Sequence, residues 1–403
     1  MAEGPLSDLF VTEVANYIAA PAAGAVLADL GARVIHVEHV NGDPYRGYRL
    51  GGSGFQAGSG GEDLAFQVDN RGKESIALDL RSPDGVEVLA KLLERSDVMI
   101  TNLADPQLRT MGLDADSVKA KHPKVIYARI NGYGFRGPDK DAESFDLGAF
   151  WARSGILQGH AFGDVLPQPR PGVGDHATAI SLVAGIILSL LIRERSGEIN
   201  EARASLLDTA MWMNCLDIAA AGFFGKQPQR RQGGSIPMIS AYETADERRI
   251  YLQVTHQPGW VEFCSAVGHP EWVGDERFAG LGRRLKYADD LRPLVTEVMK
   301  SKPLKEWETI FREKGIPTAT INGAFDIHSD EQVAANGHLS KREVGGGSIS
   351  VVTAPFEVGE PPEGGEAPAA PSHGENGELI MLELGYDWDQ IAAFREKGVV
   401  GPA

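Results

Sequence analysis

The sequence predicts an α/β protein in which a parallel sheet is covered by helices on both faces. Three observations carry this prediction. Short β-branched runs of strand length alternate with helical segments through the first third of the chain. These runs contain few polar residues, which is typical of parallel strands buried on both faces. From about residue 225 the composition becomes more polar and the order changes to hairpin and helices, which indicates a second, smaller α+β domain.

Local signals justify each element of the first third. Residues 21–30 are rich in Ala and Leu and are followed by Gly31, which predicts a helix with a glycine at its carboxyl end. Ser82 followed by Pro83 indicates the beginning of another helix. Short apolar runs predict strands at 33–38, 75–80, 97–101 and 124–132. No GxGxxG motif follows the first strands, so a dinucleotide fingerprint and an NAD site are not predicted.

The remaining elements define the domain ranges. A Pro/Gly loop at 167–175 runs into a long apolar helix from His176, and a short strand near residue 202 passes into a second long helix. A hairpin is predicted at 241–254, with two helical stretches after it and a last helical pair near the carboxyl terminus. We therefore expect 1–224 to be the first part of the large domain, 225–325 the small domain, and 326–403 a return to the large domain.

Composition limits the classes of function. The chain of 403 residues has 39 Lys and Arg against 56 Asp and Glu, a net charge of −17, which disfavours nucleic acids and anionic membranes as partners. Two cysteines, Cys215 and Cys264, and ten histidines without HxxxH or HxH spacing predict neither a disulfide framework nor a metal site. The apolar stretch 177–192 is short for a membrane span, and the amino terminus does not resemble a signal peptide. We expect a cytoplasmic protein with a buried core helix at this stretch.

The strongest local signal for a functional site is GVGDHATA at 172–179. Its glycines permit close approach of backbone or ligand, and Asp175 stands at the predicted N-cap of the long apolar helix. From spacing alone, a structural cap is favoured over a catalytic carboxylate. The catalytic alternative is a nucleophile kept ionised by the helix dipole and the first N–H groups.

Other candidate residues carry weaker signals. Arg71 and Lys73 lie in a loop before a strand, where an anion could bind, and two solvated surface cations are an equally good interpretation. Asp146 precedes an aromatic-rich segment, and Arg109 is a weaker cationic candidate. The absence of GxSxG disfavours a serine hydrolase.

Taken in order, these segments resemble the class III CoA-transferases, a family that includes formyl-CoA transferase and carnitine CoA-transferase. Single segments would be weak evidence, but they occur in family order along nearly the whole chain. The most specific are LADLGARVIHVE, NRGKESIALDL, PGVGDHATA and the closing ELGYDWDQIAAFREKGVV.

The resemblance implies an architecture that spacing does not show. Family members are interlocked homodimers of ring-like subunits, in which the large domain is Rossmann-like but binds no NAD. Coenzyme A, bound as the acyl-CoA substrate, is expected between the large domain of one chain and the small domain of the other, and no metal is expected.

The resemblance also implies roles for individual residues. Asp175 matches the catalytic aspartate and Asp146 the second carboxylate near the thioester. The family's mobile glycine loop is only partly matched, by Gly233 and Gly234. The residues that match its CoA contacts are Tyr17, Ile18, Ala19, Lys73, Asn102, Leu103 and Arg109.

The implied reaction is CoA transfer from an acyl-CoA to a free carboxylic acid through an aspartyl anhydride and an aspartyl-CoA thioester. Ile18 replaces the glutamine often found in the family, and residues 145–155 are similar to the branch that handles aryl, hydroxyacyl and bile-acid substrates, so a bulky acceptor acid is expected. The alternatives are a 2-methylacyl-CoA racemase, whose partner histidine is missing from 144–148, and a catalytically silent CoA-binding protein.

Overall fold

The computed structural model describes residues 4–47, 63–227, 236–344, 347–359 and 365–401. Its largest sheet has six parallel strands within these residues, in the order β3-β2-β1-β4-β5-β6. The chain builds one half of the sheet outward from β1 and then returns to build the other half from β4, so the order reverses between these two strands. The strands are β1 (Phe10–Val14), β2 (Arg33–Glu38), β3 (Glu74–Ala77), β4 (Val98–Thr101), β5 (Ile126–Asn131) and β6 (Ala202–Ser205).

Strands β2 to β5 confirm the four strands predicted for the first third, although β3 ends at Ala77. Strand β1 is not among the predicted strands, yet it is the central strand and pairs with both β2 and β4. Its polar Thr12 and Glu13 interrupt the apolar run, and both side chains are fully buried. A buried charge in a central strand is recognisable only once its partners are placed.

Helices cover both faces of the sheet, as predicted. Alternate strand residues enter two separate apolar clusters, so that Val34 contributes to one face and Ile35 to the other. The helices of this part are α1 (Ala19–Asp29), α2 (Leu64–Asn70), α3 (Pro83–Arg95), α4 (Asp105–Met111), α5 (Ala115–Lys121), a π-helix (Leu147–Ala152), α6 (Ile156–Gly159), α7 (Val173–Ser196), α8 (Leu206–Met213) and α9 (Cys215–Phe224).

Helix α7 differs from its prediction in two respects. It begins at Val173 rather than at His176, and only one of its faces is buried. Leu182 and Ile186 lie in the apolar cluster on the sheet, whereas Leu188 is exposed. Among the described helices, α7 alone has the length and composition that would allow a membrane crossing. The predicted second long helix is two helices, α8 and α9, because the first ends at Met213 and Asn214 separates it from the second.

The chain divides into two units by its contacts. Unit 1 comprises Met1–Gln158, Gln168–Gly225 and Glu331–Ala403, and unit 2 comprises Gly159–Pro167 and Lys226–Asp330. The contacts assign Gly159–Pro167 to unit 2, whereas the sequence led us to expect this segment in the large domain. The segment has no periodic pattern that would distinguish it from the residues around it.

Unit 2 contains a three-stranded antiparallel sheet and a helical layer. The predicted hairpin is confirmed as the pair β7 and β8, with Glu247 in the left-handed region at φ 59° in its turn. Trp260, Phe263 and Trp307 are fully buried in its core. Its elements are β7 (Ile239–Glu243), β8 (Arg249–Gln253), α10 (Gln257–Ala266), a 3-10 helix (Pro270–Val273), α11 (Leu281–Lys286), α12 (Ala288–Met299), α13 (Leu304–Glu313), β9 (Thr318–Thr320) and a 3-10 helix (Asp326–Ser329).

The carboxyl-terminal part packs back on the large sheet of unit 1. Leu78 at the end of β3 forms a bridge with Val400, and Arg33 of β2 binds Glu383 at 2.7 Å. The predicted helical pair is confirmed as the last two helices of this part. Its elements are α14 (Glu331–Asn336), β10 (Leu339–Val344), β11 (Gly347–Val352), α15 (Gly377–Glu383) and α16 (Trp388–Glu396).

Candidate active site

The carboxyl ends of β1 and β4 meet where the strand order reverses, which is where open α/β sheets bind ligands. The side chain of Asn102, just after β4, ties these two ends together. Its Oδ1 accepts from the Asn16 backbone N–H at 3.0 Å, and its Nδ2 donates to the Asn16 carbonyl at 2.6 Å. Leu103 follows, with its backbone N–H donating to Thr101 Oγ1 at 3.2 Å. Asn102 therefore binds backbone groups of the turn that precedes Tyr17.

Tyr17, Ile18 and Ala19 form the passage from β1 into α1. Tyr17 has φ 65°, an unusual left-handed conformation for a non-glycine residue, and its N–H donates to Asp43 Oδ1 at 3.3 Å. Its ring stands edge-on to Phe145 at a centroid distance of 5.9 Å, next to Asp146 in the chain. The structure thus brings the turn after β1 to the segment that carries the second predicted carboxylate.

Asp146, not Asp175, caps α7. The Gly172 N–H donates to Asp146 Oδ2 at 2.7 Å, and the Gly174 N–H donates to Oδ1 at 3.1 Å. Gly172 is the N-cap residue at φ 90°, and Asp175 is the third residue of the helix. The prediction that Asp175 occupies the N-cap is therefore wrong, because the capping carboxylate comes from a residue 26 positions before Gly172. The side chain of Asp175 is left for another role.

The surroundings of Asp175 raise the pKa of its carboxyl group towards neutral pH. Burial, together with the nearby charge of Asp146, raises the pKa of Asp175 to about 7. Burial also raises the pKa of Asp146, although its hydrogen bonds from Gly172 and Gly174 act in the opposite direction. Two carboxyl groups thus share the amino end of α7, and only Asp146 has its oxygens committed to backbone N–H groups in the described residues.

Sequence reasoning missed a histidine–aspartate pair next to Asp175. The Nε2 atom of His176 lies 2.8 Å from Asp69 Oδ1, and the Tyr45 hydroxyl donates to Asp69 Oδ2 at 3.2 Å. Asp69 is buried in the last turn of α2. In the sequence, His176 could have been noticed only because it directly follows Asp175. No local pattern indicates Asp69.

Lys73 is buried, so the interpretation of it as a solvated surface cation is wrong. Its ammonium group donates to Glu13 Oε1 at 2.8 Å and Oε2 at 3.0 Å, and also to Pro21 O and Asn70 Oδ1. Glu13 binds His36 as well, at 2.8 Å. Burial lowers the pKa of Lys73, whereas for Glu13 the charges and hydrogen bonds of Lys73 and His36 outweigh burial and lower the pKa. These groups form a polar core behind the turn after β1.

The other predicted site residues lie in different surroundings. Arg71 is also buried and pairs with Asp29. Arg109, in α4, has a side chain that is 67% exposed and lies 3.8 Å from Asp105, so it stays a candidate for binding an anion. Gly233 and Gly234 fall outside the described residues. Within the described ranges, no group of three or more His, Cys, Asp or Glu side chains is placed to hold a metal ion.

Comparison with known proteins gives a consistent result. The profile of CoA-transferase family III matches residues 6–377. The chain is 35% identical to cinnamoyl-CoA:phenyllactate CoA-transferase of Clostridium sporogenes, over 96% of this chain and 94% of that protein. It is 31% identical to (R)-2-hydroxy-4-methylpentanoate CoA-transferase of Clostridioides difficile, over 98% and 99%. It is also 32% identical to succinate–glutarate CoA-transferase of Agrobacterium fabrum, over 94% and 96%.

A solved structure resembles this fold over almost its whole length. The crystal structure of a CAIB/BAIF family protein from Brucella suis superposes with a TM-score of 0.81 at 28% identity, covering 95% of this chain and 100% of that one.

Proposed function

Because this chain belongs to CoA-transferase family III, we propose that it moves coenzyme A from an acyl-CoA to a free carboxylic acid with Asp175 as the nucleophile. The family uses CoA thioesters as substrates. The observation that carries the role of Asp175 is the position of its carboxyl group in the first turn of α7, whose amino end is already capped by Asp146. A carboxylate is a sufficient nucleophile towards a thioester when it is held at the carbonyl carbon.

The proposed exchange has four balanced steps. The Asp175 carboxylate attacks the acyl carbon of the donor, forms a mixed anhydride and releases CoA as a thiolate. The thiolate attacks the aspartyl carbonyl carbon, releases the donor acid and forms an aspartyl-CoA thioester. The acceptor carboxylate attacks that carbonyl and expels the thiolate again. The thiolate then attacks the acceptor acyl carbon, so that a new acyl-CoA leaves and Asp175 returns to a carboxylate.

Asp146 has a positioning role in this proposal. Its two hydrogen bonds hold Gly172 and Gly174, and with them the backbone on which Asp175 is carried. Backbone N–H groups at the amino end of a helix stabilise negative charge, so we expect them to support the oxyanion that forms in each step.

For CoA, we propose that Tyr17, Ile18 and Ala19 line the nucleotide site at the end of β1, and that the exposed Arg109 binds a phosphate. Leu103 lies at the neighbouring end of β4. Asn102 contributes by holding the backbone of the turn. Lys73 contributes only as part of the polar core, because its ammonium group already donates hydrogen bonds to Glu13, Pro21 and Asn70. This assignment keeps the predicted contacts except the direct role of Lys73.

The proposed acceptor is a 2-hydroxy acid with a branched aliphatic or aryl side chain. Two relatives are named for acids of this class, (R)-2-hydroxy-4-methylpentanoate and phenyllactate. The residues around the amino end of α7 agree with an apolar acid. A Cβ on Gly172 would lie 3.6 Å from Ile18 Cδ1, and exposed Phe145 stands beside Tyr17. Dicarboxylic acids, named for another relative, are the competing class.

A racemase lacks support from these contacts. A two-base proton exchange needs a second free base near Asp175. Asp146 accepts backbone N–H groups on both oxygens, and both ring nitrogens of His176 lie within 2.8 Å of acceptors. Neither side chain is therefore offered as that base.

We propose further that the protein is an interlocked homodimer. Helices α8 and α9 expose large apolar side chains, with exposed fractions of 79% for Trp212, 82% for Leu216 and 84% for Phe223. An apolar surface of this kind is typical of an interface between subunits.

The oxygen atoms of Asp175 offer the sharpest test. In the third step the acceptor attacks through one carboxylate oxygen, and that oxygen stays on Asp175 when the new acyl-CoA leaves. Turnover with an ¹⁸O-labelled 2-hydroxy acid and unlabelled acyl-CoA should place ¹⁸O on Asp175, as measured by peptide mass spectrometry. Asp175→Asn should lose exchange, while the exposed control Asp116→Asn should retain it. Turnover without label on Asp175 would contradict the covalent mechanism, and absence of any turnover with all acyl-CoA and acid pairs would support the silent CoA-binding alternative.

A further inference from the structure

The ring of His176 lies between two hydrogen-bond acceptors. Its Nδ1 is 2.7 Å from the Gly172 carbonyl oxygen, and its Nε2 is 2.8 Å from Asp69 Oδ1. A carbonyl oxygen only accepts, so Nδ1 must carry a proton. A neutral imidazole has one N–H, so donation to an ionised Asp69 as well requires the doubly protonated ring.

The carboxyl group of Asp69 is buried among polar and charged groups. Its second oxygen accepts from the Tyr45 hydroxyl at 3.2 Å, and the buried cation of Lys73 interacts with its charge. Its side chain is 2% exposed. A buried carboxylate costs free energy unless a cation pairs with it, and besides the Tyr45 hydroxyl the described side chain in direct contact with Asp69 is that of His176.

The ring is also fixed relative to the helix. The Gly172 carbonyl accepts both the Nδ1 proton and the backbone N–H of His176, the latter at 2.9 Å. The ring therefore folds back over the amino end of α7 and stays beside Asp175, the preceding residue. There it faces Asp69 from α2, Asp146 from the segment before the π-helix, and Asp175 from its own helix.

We propose that Asp69 and the Gly172 carbonyl hold His176 as an imidazolium whose charge keeps the neighbouring Asp175 carboxylate ionised and ready to attack. The inference rests on the proposed function of Asp175. His176 and Asp69 are positioning residues, because neither is assigned a contact with the reacting atoms. Without the imidazolium, the three carboxyl groups of Asp69, Asp146 and Asp175 would meet at one helix end with no cation in direct contact with them among the described side chains.

The electrostatics agree with this arrangement. Burial alone would lower the pKa of His176, but the hydrogen bond and charge of Asp69 outweigh it and raise the pKa to about 9. Burial and the charges of Asp146 and Asp69 raise the pKa of Asp175, whereas the charge of His176 lowers it. Loss of the imidazolium therefore shifts the ionisation of Asp175 to higher pH.

Two measurements on the full-length protein test the inference separately from the proposed function. The first is the ¹⁵N spectrum of the histidine rings, with His176 assigned by the loss of its signals in His176→Gln. Wild type should show both ring nitrogens protonated at neutral pH, and Asp69→Asn should return His176 to a neutral tautomer there. A neutral His176 ring in the wild type would overturn the proposal whether or not the protein transfers CoA.

The second measurement is the pH profile of kcat/KM for CoA exchange. In His176→Gln the acid limb should move upward by about one pH unit, a loss of about tenfold below the limb with recovery above it. Asp69→Asn should move the limb upward by less, because this change also removes the charge of Asp69, which raises the pKa of Asp175. Asp116→Asn and His122→Gln are control variants outside the site that should leave the profile unchanged. A uniform loss of rate without a shift of the limb, in variants that keep the wild-type Tm, would also overturn the proposal.

Discussion

A Cβ atom on Gly174 would lie 2.2 Å from Oδ1 of Asp146, so these two residues can keep their contact only because one of them is glycine. The same Cβ would lie 2.3 Å from Phe150 Cγ in the π-helix. The residue before the proposed nucleophile must therefore be glycine for this cap to form.

Gly174→Ala should damage both stability and activity. The added methyl group must displace Asp146 or Phe150, both buried, so we expect a loss of about 1–3 kcal/mol in the free energy of unfolding and a large loss of CoA exchange. Gly185→Ala is the matched control in the same helix. Its Cβ would lie 3.5 Å from Ala202 Cβ, an ordinary contact, so it should be neutral or stabilise by up to about 1 kcal/mol. Equal effects of both substitutions on Tm and rate would contradict the packing argument.

The rate of exchange should depend on the ionisation of Asp175. Because attack requires the carboxylate and the pKa of Asp175 is about 7, kcat/KM should rise with pH up to about 7 and then level off. A profile that is flat between about pH 5 and 8 would argue against a nucleophilic Asp175 whose pKa is raised by burial.

The raised pKa of Asp175 should make the folded protein less stable as the pH rises, whereas the rate of exchange increases. The folded-state pKa of Asp175 lies above the ordinary value of 3.8, so the folded protein binds more protons than the unfolded chain between these values. Stability from this group is complete below about pH 4 and is lost as the pH rises through about 7. The Tm of Asp175→Asn should therefore gain on that of wild type as the pH is raised from about 4 to 8, by the equivalent of about 1–3 kcal/mol. A constant difference in Tm over this range would contradict the raised pKa.

Lys73 and Arg109 should give opposite phenotypes. Lys73→Met leaves the fully buried Glu13 with His36 as its remaining ionic partner, so we expect a loss of about 3–5 kcal/mol in the free energy of unfolding. The double variant Glu13→Gln with Lys73→Met should recover part of that loss. Arg109→Gln should leave Tm unchanged, raise the KM for acyl-CoA several-fold and reduce its salt dependence. A stable Lys73→Met protein with a raised KM would restore its role as a phosphate-binding cation.

Interlocked subunits should not exchange under native conditions, because separation requires unfolding of one chain. Two preparations with different tags, folded separately and mixed at nanomolar concentration, should give no heterodimers over days. Co-refolding from denaturant should give them readily. Rapid exchange would exclude interlocking. In that case Phe223→Glu tests an ordinary homodimer through the apolar surface of α8 and α9, which this substitution should dissociate.

Much of the fold could be predicted because its signals are local. The apolar run of β2 and the Ser82–Pro83 start of α3 are visible within a few residues. The elements that were missed depend on distant partners: the buried Glu13 of β1 is neutralised by Lys73, 60 positions along the chain. The prediction of the α7 cap was wrong for the same reason, because the capping carboxylate belongs to the distant residue Asp146. The resemblance to the family made Asp175 the candidate nucleophile, but His176 and Asp69 form a pair 107 positions apart that no spacing indicated.

The turn after β1 takes its shape from residues outside it. Asn102 holds the backbone of Asn16, and Asp43 holds the N–H of Tyr17, so neither anchor uses the side chain at position 18. An exchange of Ile18 for a polar residue would therefore leave both anchors in place, while it would remove apolar contacts that this side chain makes with the core. In the proposed function it would also alter what the turn presents to an acid. In such a fold, evolution can change substrate preference through single substitutions at positions, such as 18, whose side chains the anchors do not use.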